Sequence, residues 1–185
     1  METGFSLALS IIIASVFFLS IMQFNANITQ TSVLNNMDYA AQVKLKTMVE
    51  IVKNDLNKIG YLNDPDISGD DDIKYKTNNS IKFLASKNES IKNPSIRYIE
   101  IKEDENNNRL VRNDYNESGG LDNSTEINGL DSLHIEYHYS GGNIEYLTVT
   151  IVATLPYDYK PGKYEKKYSP QAYWKSDIYP KNLDQ

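Results

Sequence analysis

The side chains best suited to chemistry fall in two short stretches. His134, Glu136 and His138 alternate with Leu133, Ile135 and Tyr137. On a strand of period two, the three polar groups share one side, and two imidazoles with a carboxylate are a donor set for zinc or iron. The same alternation describes the wet face of an ordinary half-buried strand, so no metal ligand is assigned there. The run Asp64-Pro65-Asp66-Ile67-Ser68-Gly69-Asp70-Asp71-Asp72 sets oxygen ligands at alternate positions around a Gly turn, the pattern of a calcium loop. Its closing bidentate Glu is missing, because Tyr75 stands in that place. Calcium at Asp64–Asp72 is the one cofactor the chain leaves open, against the simpler reading of a solvated acidic loop. The chain has no Cys, no Gly-rich phosphate loop and no Ser on a convincing elbow. No nucleophile–base pair emerges, no catalytic residue is assigned, and the expectation is a protein that is not an enzyme.

These groups need a scaffold, and composition bounds it. The 185 residues carry a formal charge of -6. That length accommodates one membrane span and one head of ordinary size. Every Lys and Arg lies at Lys44 or beyond, among a larger number of Asp and Glu. An acidic head repels phosphate backbones, so no nucleic-acid partner is expected.

The first sixty residues set the architecture. From Phe5 to Phe24 the chain is uncharged and apolar, without Pro or Gly. At ~1.5 Å per residue this run spans roughly 30 Å, the thickness of a bilayer core. A cleaved secretory signal would have basic residues ahead of the run and small residues after it; Met1-Glu2-Thr3-Gly4 and Phe24-Asn25-Ala26 provide neither. A retained helix is the better reading. From Leu34 the apolar positions recur as Leu34, Met37, Ala41, Leu45, Met48, Val52, Leu56 and Ile59. Intervals of three and four draw one helical stripe. Gly60 then suits the left-handed position beyond a helix end. Between the halves, Asn25 to Ser32 is rich in poor helix formers, and a bend or local unwinding is expected there.

Beyond Gly60 the pattern shifts to short segments of period two. The expected strands are Ile73–Thr77, Ser80–Ala85, Ile96–Lys102, Arg109–Arg112, Leu130–Tyr139 and Asn143–Leu155. The last two flank Ser140-Gly141-Gly142 and should form an antiparallel hairpin. From Tyr157 to Tyr179 seven aromatics (Tyr157, Tyr159, Tyr164, Tyr168, Tyr173, Trp174 and Tyr179) mix with Pro156, Pro161, Pro170 and Pro180. This tail reads as an extended covering segment with a polyproline bias, or else as an aromatic patch for a partner. The fold class is α+β: a long N-terminal helix, membrane-spanning in its first half, packed on an antiparallel β-sheet head.

Gly4-Phe5-Ser6-Leu7 ahead of an apolar run resembles the prepilin cleavage site of type IV pilins and type II secretion pseudopilins. Further along, Asp55-Leu56…Gly60-Tyr61, Ile96-Arg97-Tyr98-Ile99, Arg109-Leu110-Val111-Arg112 and Leu130-Asp131-Ser132-Leu133-His134-Ile135-Glu136-Tyr137 are similar to W-type minor pilins and J-type pseudopilins. The likeness covers about Gly4 to Leu155. It implies cleavage after Gly4 by a prepilin peptidase and methylation of Phe5. It also implies a helix that lies in inner-membrane lipid before forming the filament core with other pilin or pseudopilin subunits. Two departures stand out: the leader is short and lacks basic residues, and the fifth mature position, usually Glu, is Leu9. In the family that Glu pairs with a neighbouring subunit's terminal amine. Leu9 has no such charge to satisfy, which suits a tip or minor subunit.

The expected organisation is a leader remnant at 1–4, a transmembrane or filament-core helix at 5–24, its amphipathic continuation at 25–60, and a β-rich extracytoplasmic head at 61–185. The expected function is a structural subunit of a type IV pilus or type II secretion-type filament, at the cell surface or in the periplasm. It would assemble through a helix carrying Leu9, Leu34, Met37, Ala41, Leu45, Met48, Val52, Leu56 and Ile59. The alternative is a membrane-anchored extracytoplasmic domain that binds or adheres without polymerising.

Overall fold

The computed structural model describes residues 2–59, 73–86, 96–116, 118–141, 143–155 and 168–180. One helix, α1 (Glu2–Leu56), precedes eight strands: β1 (Ile73–Thr77), β2 (Ser80–Ser86), β3 (Ile96–Asp104), β4 (Arg109–Tyr115), β5 (Leu121–Asn128), β6 (Leu130–Ser140), β7 (Asn143–Thr154) and β8 (Gln171–Ile178). The fold class is α+β.

The helix is unbroken through 25–32, which corrects the expected local unwinding. The low propensities of Asn, Thr and Ser each cost only a few tenths of a kcal/mol, less than breaking a helix already nucleated on both sides. Thr29 Oγ1 even donates back to Asn25 O at 2.9 Å. At the other end, Lys58 N bonds Asp55 O and Ile59 N bonds Leu56 O, so α1 closes in a tighter turn. Gly60 and its capping role lie outside the described residues.

The apolar stripe is the keel of the head. Met37, Ala41, Leu45, Met48, Val52, Leu56 and Ile59 are all buried, and Leu34 is half-buried at the upstream margin. They pack against β7 and β8, where Leu147, Val149, Ile151, Ala153, Ala172 and Ile178 face the helix. The head does not form a single sheet. Its strands make a five-stranded antiparallel sheet, β1-β2-β3-β4-β5, and a three-stranded one, β6-β7-β8. Ile81, Phe83, Ile99, Ile101 and Leu110 from the larger sheet enter the same core.

The sheets separate at Gly129, between β5 and β6. Its φ of 94° lies in the left-handed region, and a Cβ there would sit 2.5 Å from Thr154 O. Asn108 O accepts from both Gly129 N and Leu130 N, and Thr154 N bonds Gly129 O. This knot ties two turns and the end of β7 together. On the far side, Ile135 N donates to Asn78 O at 2.7 Å and Leu133 N to Glu103 Oε2 at 3.1 Å, joining β6 to the larger sheet without a ladder.

Six strands fall where the alternation places them, within one to three residues at their ends. Two were not anticipated. β5 reads Leu-Asp-Asn-Ser-Thr-Glu-Ile-Asn, too polar to show an apolar face, because it is an exposed edge. β8 falls inside the supposed covering tail: residues 171–178 are a regular strand on β7, not polyproline. Trp174 supplies part of its core-facing side, so aromatic content masked the alternation.

Met48→Ala opens a cavity under the head and should lower its unfolding free energy by about 2–5 kcal/mol. Phe17→Ala, in the exposed upstream half, should leave the denaturant midpoint of the head unchanged.

Candidate functional site

Three places could carry function, and α1 supplies the first. No charged residue lies between Glu2 and Asp38. Phe5 is 75% exposed, Phe17 67% and Leu9 49%, and the chain offers these side chains no cover. The helix contains a window long and apolar enough to cross a membrane, none of it buried. The hydroxyls in this stretch are satisfied locally: Ser10 donates to Ser6 O, Ser15 to Ile11 O and Ser20 to Val16 O, at 2.8–2.9 Å. Such back-bonding removes the need for water and makes serine tolerable in hydrocarbon. At Gly4 a Cβ would meet nothing within 4 Å, so the fold gives no reason for glycine there.

The outer face of β6-β7-β8 carries the second group. Register sets Glu136 against Thr148 and Thr148 against Asp177. His134 Nε2 lies 3.4 Å from Glu136 Oε1, and His138 Nε2 lies 4.0 Å from Glu136 Oε2. Thr148 Oγ1 donates to Asp177 Oδ1 at 2.6 Å and is 3.0 Å from His138 Nε2. A hydroxyl has one proton and an ionised carboxylate only accepts, so His138 Nε2 must be the donor to Thr148. That nitrogen is unavailable to a metal while the bond stands. The polarity is also opposite to nucleophile activation, in which the imidazole would take the hydroxyl proton. The sequence reading did bring His134, Glu136 and His138 together on one face. It missed Thr148 and Asp177, which arrive from other strands through register alone. Among the described residues no set of three His, Asp or Glu side chains is arranged to hold a metal ion.

Rings extend this face. His138 stacks on Tyr146 with centroids 4.1 Å apart and planes 9° from parallel, and Tyr146 leans on Tyr179 at 5.1 Å. Tyr173 and Tyr179 are exposed, whereas Trp174 packs on the core. Tyr168 donates to Asp38 on α1, pinning the approach to β8, and that bond raises its phenol pKa. Tyr157, Tyr159, Tyr164 and the Asp64–Asp72 loop lie outside the described residues.

The third group is ionic and structural. Asp55 is 2% exposed at the C-terminal end of α1, where the helix dipole disfavours an anion. Arg112 of β4 answers it through Nε and Nη2, and Lys58 Nζ adds a contact at 3.1 Å. On the outer face of the larger sheet, Glu100 accepts from Asn113 at 2.8 Å and Tyr115 at 2.9 Å, with Lys102 at 3.3 Å. Burial pushes the Glu100 carboxyl up, but these donors outweigh it and hold the group below the usual range. Glu103 goes the other way: burial raises it, the Leu133 amide offsets part of this, and Glu105 and Asp131 add repulsion. A groove of about 640 Å³ lies beside them, lined by residues that include Glu103, Asp104, Arg109 and Glu126. Arg109 already bonds both Asp104 and Glu126.

The two glutamates should therefore act oppositely on stability. The lowered Glu100 stabilises the head above the ordinary Glu range, and that contribution is lost as pH falls through its folded value. The raised Glu103 favours the fold below the ordinary Glu range, and that contribution is lost as pH rises through its folded value. At pH 7, Glu100→Gln should lower the melting temperature and Glu103→Gln should raise it. The Glu103 difference should shrink as pH falls through its raised folded value, and the Glu100 difference only at still lower pH, as its lowered folded value is passed. Arg112→Met leaves buried Asp55 with Lys58 as its remaining partner among the described residues and should cost up to about 3–5 kcal/mol, the figure for a wholly unpaired buried charge, in a denaturant titration.

Comparison with known proteins adds no relative: no family model, no characterised protein and no solved structure matches the chain.

Proposed function

We propose that this chain is a structural subunit, a minor pilin or pseudopilin, of a type IV pilus or type II secretion-type filament. One observation carries the reading: a single continuous helix whose downstream stripe is consumed by its own head while its upstream half is apolar and uncovered all round. That half needs lipid or like helices around it, and an α+β head at its far end is compatible with a pilin-like fold. Gly4 supports the processing step, since a glycine without a conformational or packing role in a helix is otherwise a small cost. Leu9 supports a tip or minor position, because it can end a helix bundle without leaving a buried charge unpaired. The partners on this reading are prepilin peptidase, inner-membrane lipid and other pilin or pseudopilin subunits, with the head on the extracytoplasmic side.

A second reading, an anchored domain that binds or adheres without polymerising, draws on the exposed tyrosines of the β6-β7-β8 outer face. Mass spectrometry of the native protein separates the two. Pilin processing should give a chain that starts at Phe5 with a methylated amine. An intact Met1, on protein never recovered with filaments, overturns the first reading and leaves the second.

A further inference from the structure

The downstream half of α1 turns one side to the head and the other to solvent. Met37, Ala41, Leu45 and Met48 are buried on the head side. Ser32, Asn35, Tyr39 and Val43 are exposed and follow one another at intervals of three and four. They run two residues out of step with the buried set, which on a helix is about half a turn. Tyr39 is 69% exposed and Val43 46%. The same outward line runs back through Ile28 and Ile21, both exposed, into the apolar half.

Lipid covers the lower part of this line but not the upper part. Tyr39 and Val43 stand roughly 22 and 28 Å beyond Phe24 along the continuous helix. The headgroup layer outside the hydrocarbon core is only about 5–8 Å deep on each side. What shields Tyr39 and Val43 from water is therefore protein.

The head decides from which side a like chain arrives. It fills the space beside the buried stripe from Met37 to Ile59, so a second copy at the same level cannot bring its helix there. The outward line is the side left open, and charge permits the approach. No charged residue lies between Glu2 and Asp38, so two such rods meet without like-charge repulsion. Above Val43 the exposed strip changes to Lys46, Glu50 and Lys53, where level copies face like with like and the contact ends.

Asn35 sets the level. Its amide has no partner among the described residues, and it sits on the line between Ile28 and Tyr39. A side-chain amide both donates and accepts, so Asn35 answers Asn35 of a second copy when the two rods stand level.

We infer that two copies join through this outward line as a parallel, level pair, with their heads projecting on opposite sides. This rests on the reading that the apolar half stands in a membrane, and it adds to the assembly reading the face and level at which copies meet. The contact is isologous, the same line on both copies about a two-fold axis along the rods.

Single-cysteine chains test the line, because the protein has no cysteine of its own. Full-length Ser32→Cys, Asn27→Cys and Gln30→Cys chains are each reconstituted in phosphatidylcholine liposomes at high lipid excess and mildly oxidised. The expected result is a disulfide homodimer from Ser32→Cys, several-fold above that from Asn27→Cys or Gln30→Cys, which lie at the same level toward the head side. Adding Tyr39→Asp to the Ser32→Cys chain places two carboxylates across the seam and should cut the dimer several-fold with the melting temperature of the head unchanged. If Tyr39→Asp lowers that temperature, Val43→Asp replaces it with the same outcomes. Equal cross-linking on both sides, no dimer from Ser32→Cys, or a dimer indifferent to the added carboxylate overturns the pair. A Ser32→Cys chain that cross-links in native membranes only to a different protein overturns it too. Sedimentation of native material separates this contact from the assembly reading. Pelleted filaments without the cross-link retire the pair and leave assembly standing. A cross-linked pair from material that never pellets a polymer retires assembly and leaves the pair.

Discussion

One unbroken helix has to meet two incompatible demands, and the rest of the molecule is arranged around that constraint. Downstream of Val33 the rod buries a stripe from Met37 to Ile59 against β7 and β8. Upstream it buries nothing. A flexible joint would let the two halves answer separately, but the hydrogen-bonded ladder runs straight through 25–32. The orientation of the head is thus set by the axis of the apolar segment. Whatever surrounds that segment also orients the surfaces carrying His138 and Glu100.

The attachment of helix to head depends on more than apolar area. At its lower end Lys44 reaches Asn128 O, beside the Gly129 knot where both sheets and β7 converge. At its upper end Asp55, an anion at the wrong pole of a helix, is held by Arg112 from β4. Apolar contact is non-directional and would allow the helix to slide or rotate on the sheet. Two polar ties at separate levels of the helix remove that freedom.

The polar faces of the head are occupied by their own chemistry. Glu100 collects Asn113, Tyr115 and Lys102; Arg109 bridges Asp104 and Glu126; Thr148 links His138 to Asp177. Groups satisfied by one another stiffen a surface. What stands uncovered among the described residues is side chain along half a helix. That is a demand that another polypeptide or a lipid can meet.

Much of this was legible in the chain before any coordinates. The run Phe5–Phe24, the stripe Met37–Ile59 and the hairpin about Gly141 all follow from period and turn chemistry, because each is a local pattern with one apolar side. β5 was not legible, since a mostly exposed edge strand with only Thr125 and Ile127 half-buried shows too little alternation. β8 was hidden by Tyr173, Trp174 and the flanking Pro170 and Pro180. The division into two sheets, the Asp55–Arg112 pair and the bond that takes His138 Nε2 out of metal chemistry depend on residues dozens of positions apart. Sequence periodicity tells each side chain which way to face. Only the register between strands, and the seat of the helix upon them, decides what it meets there.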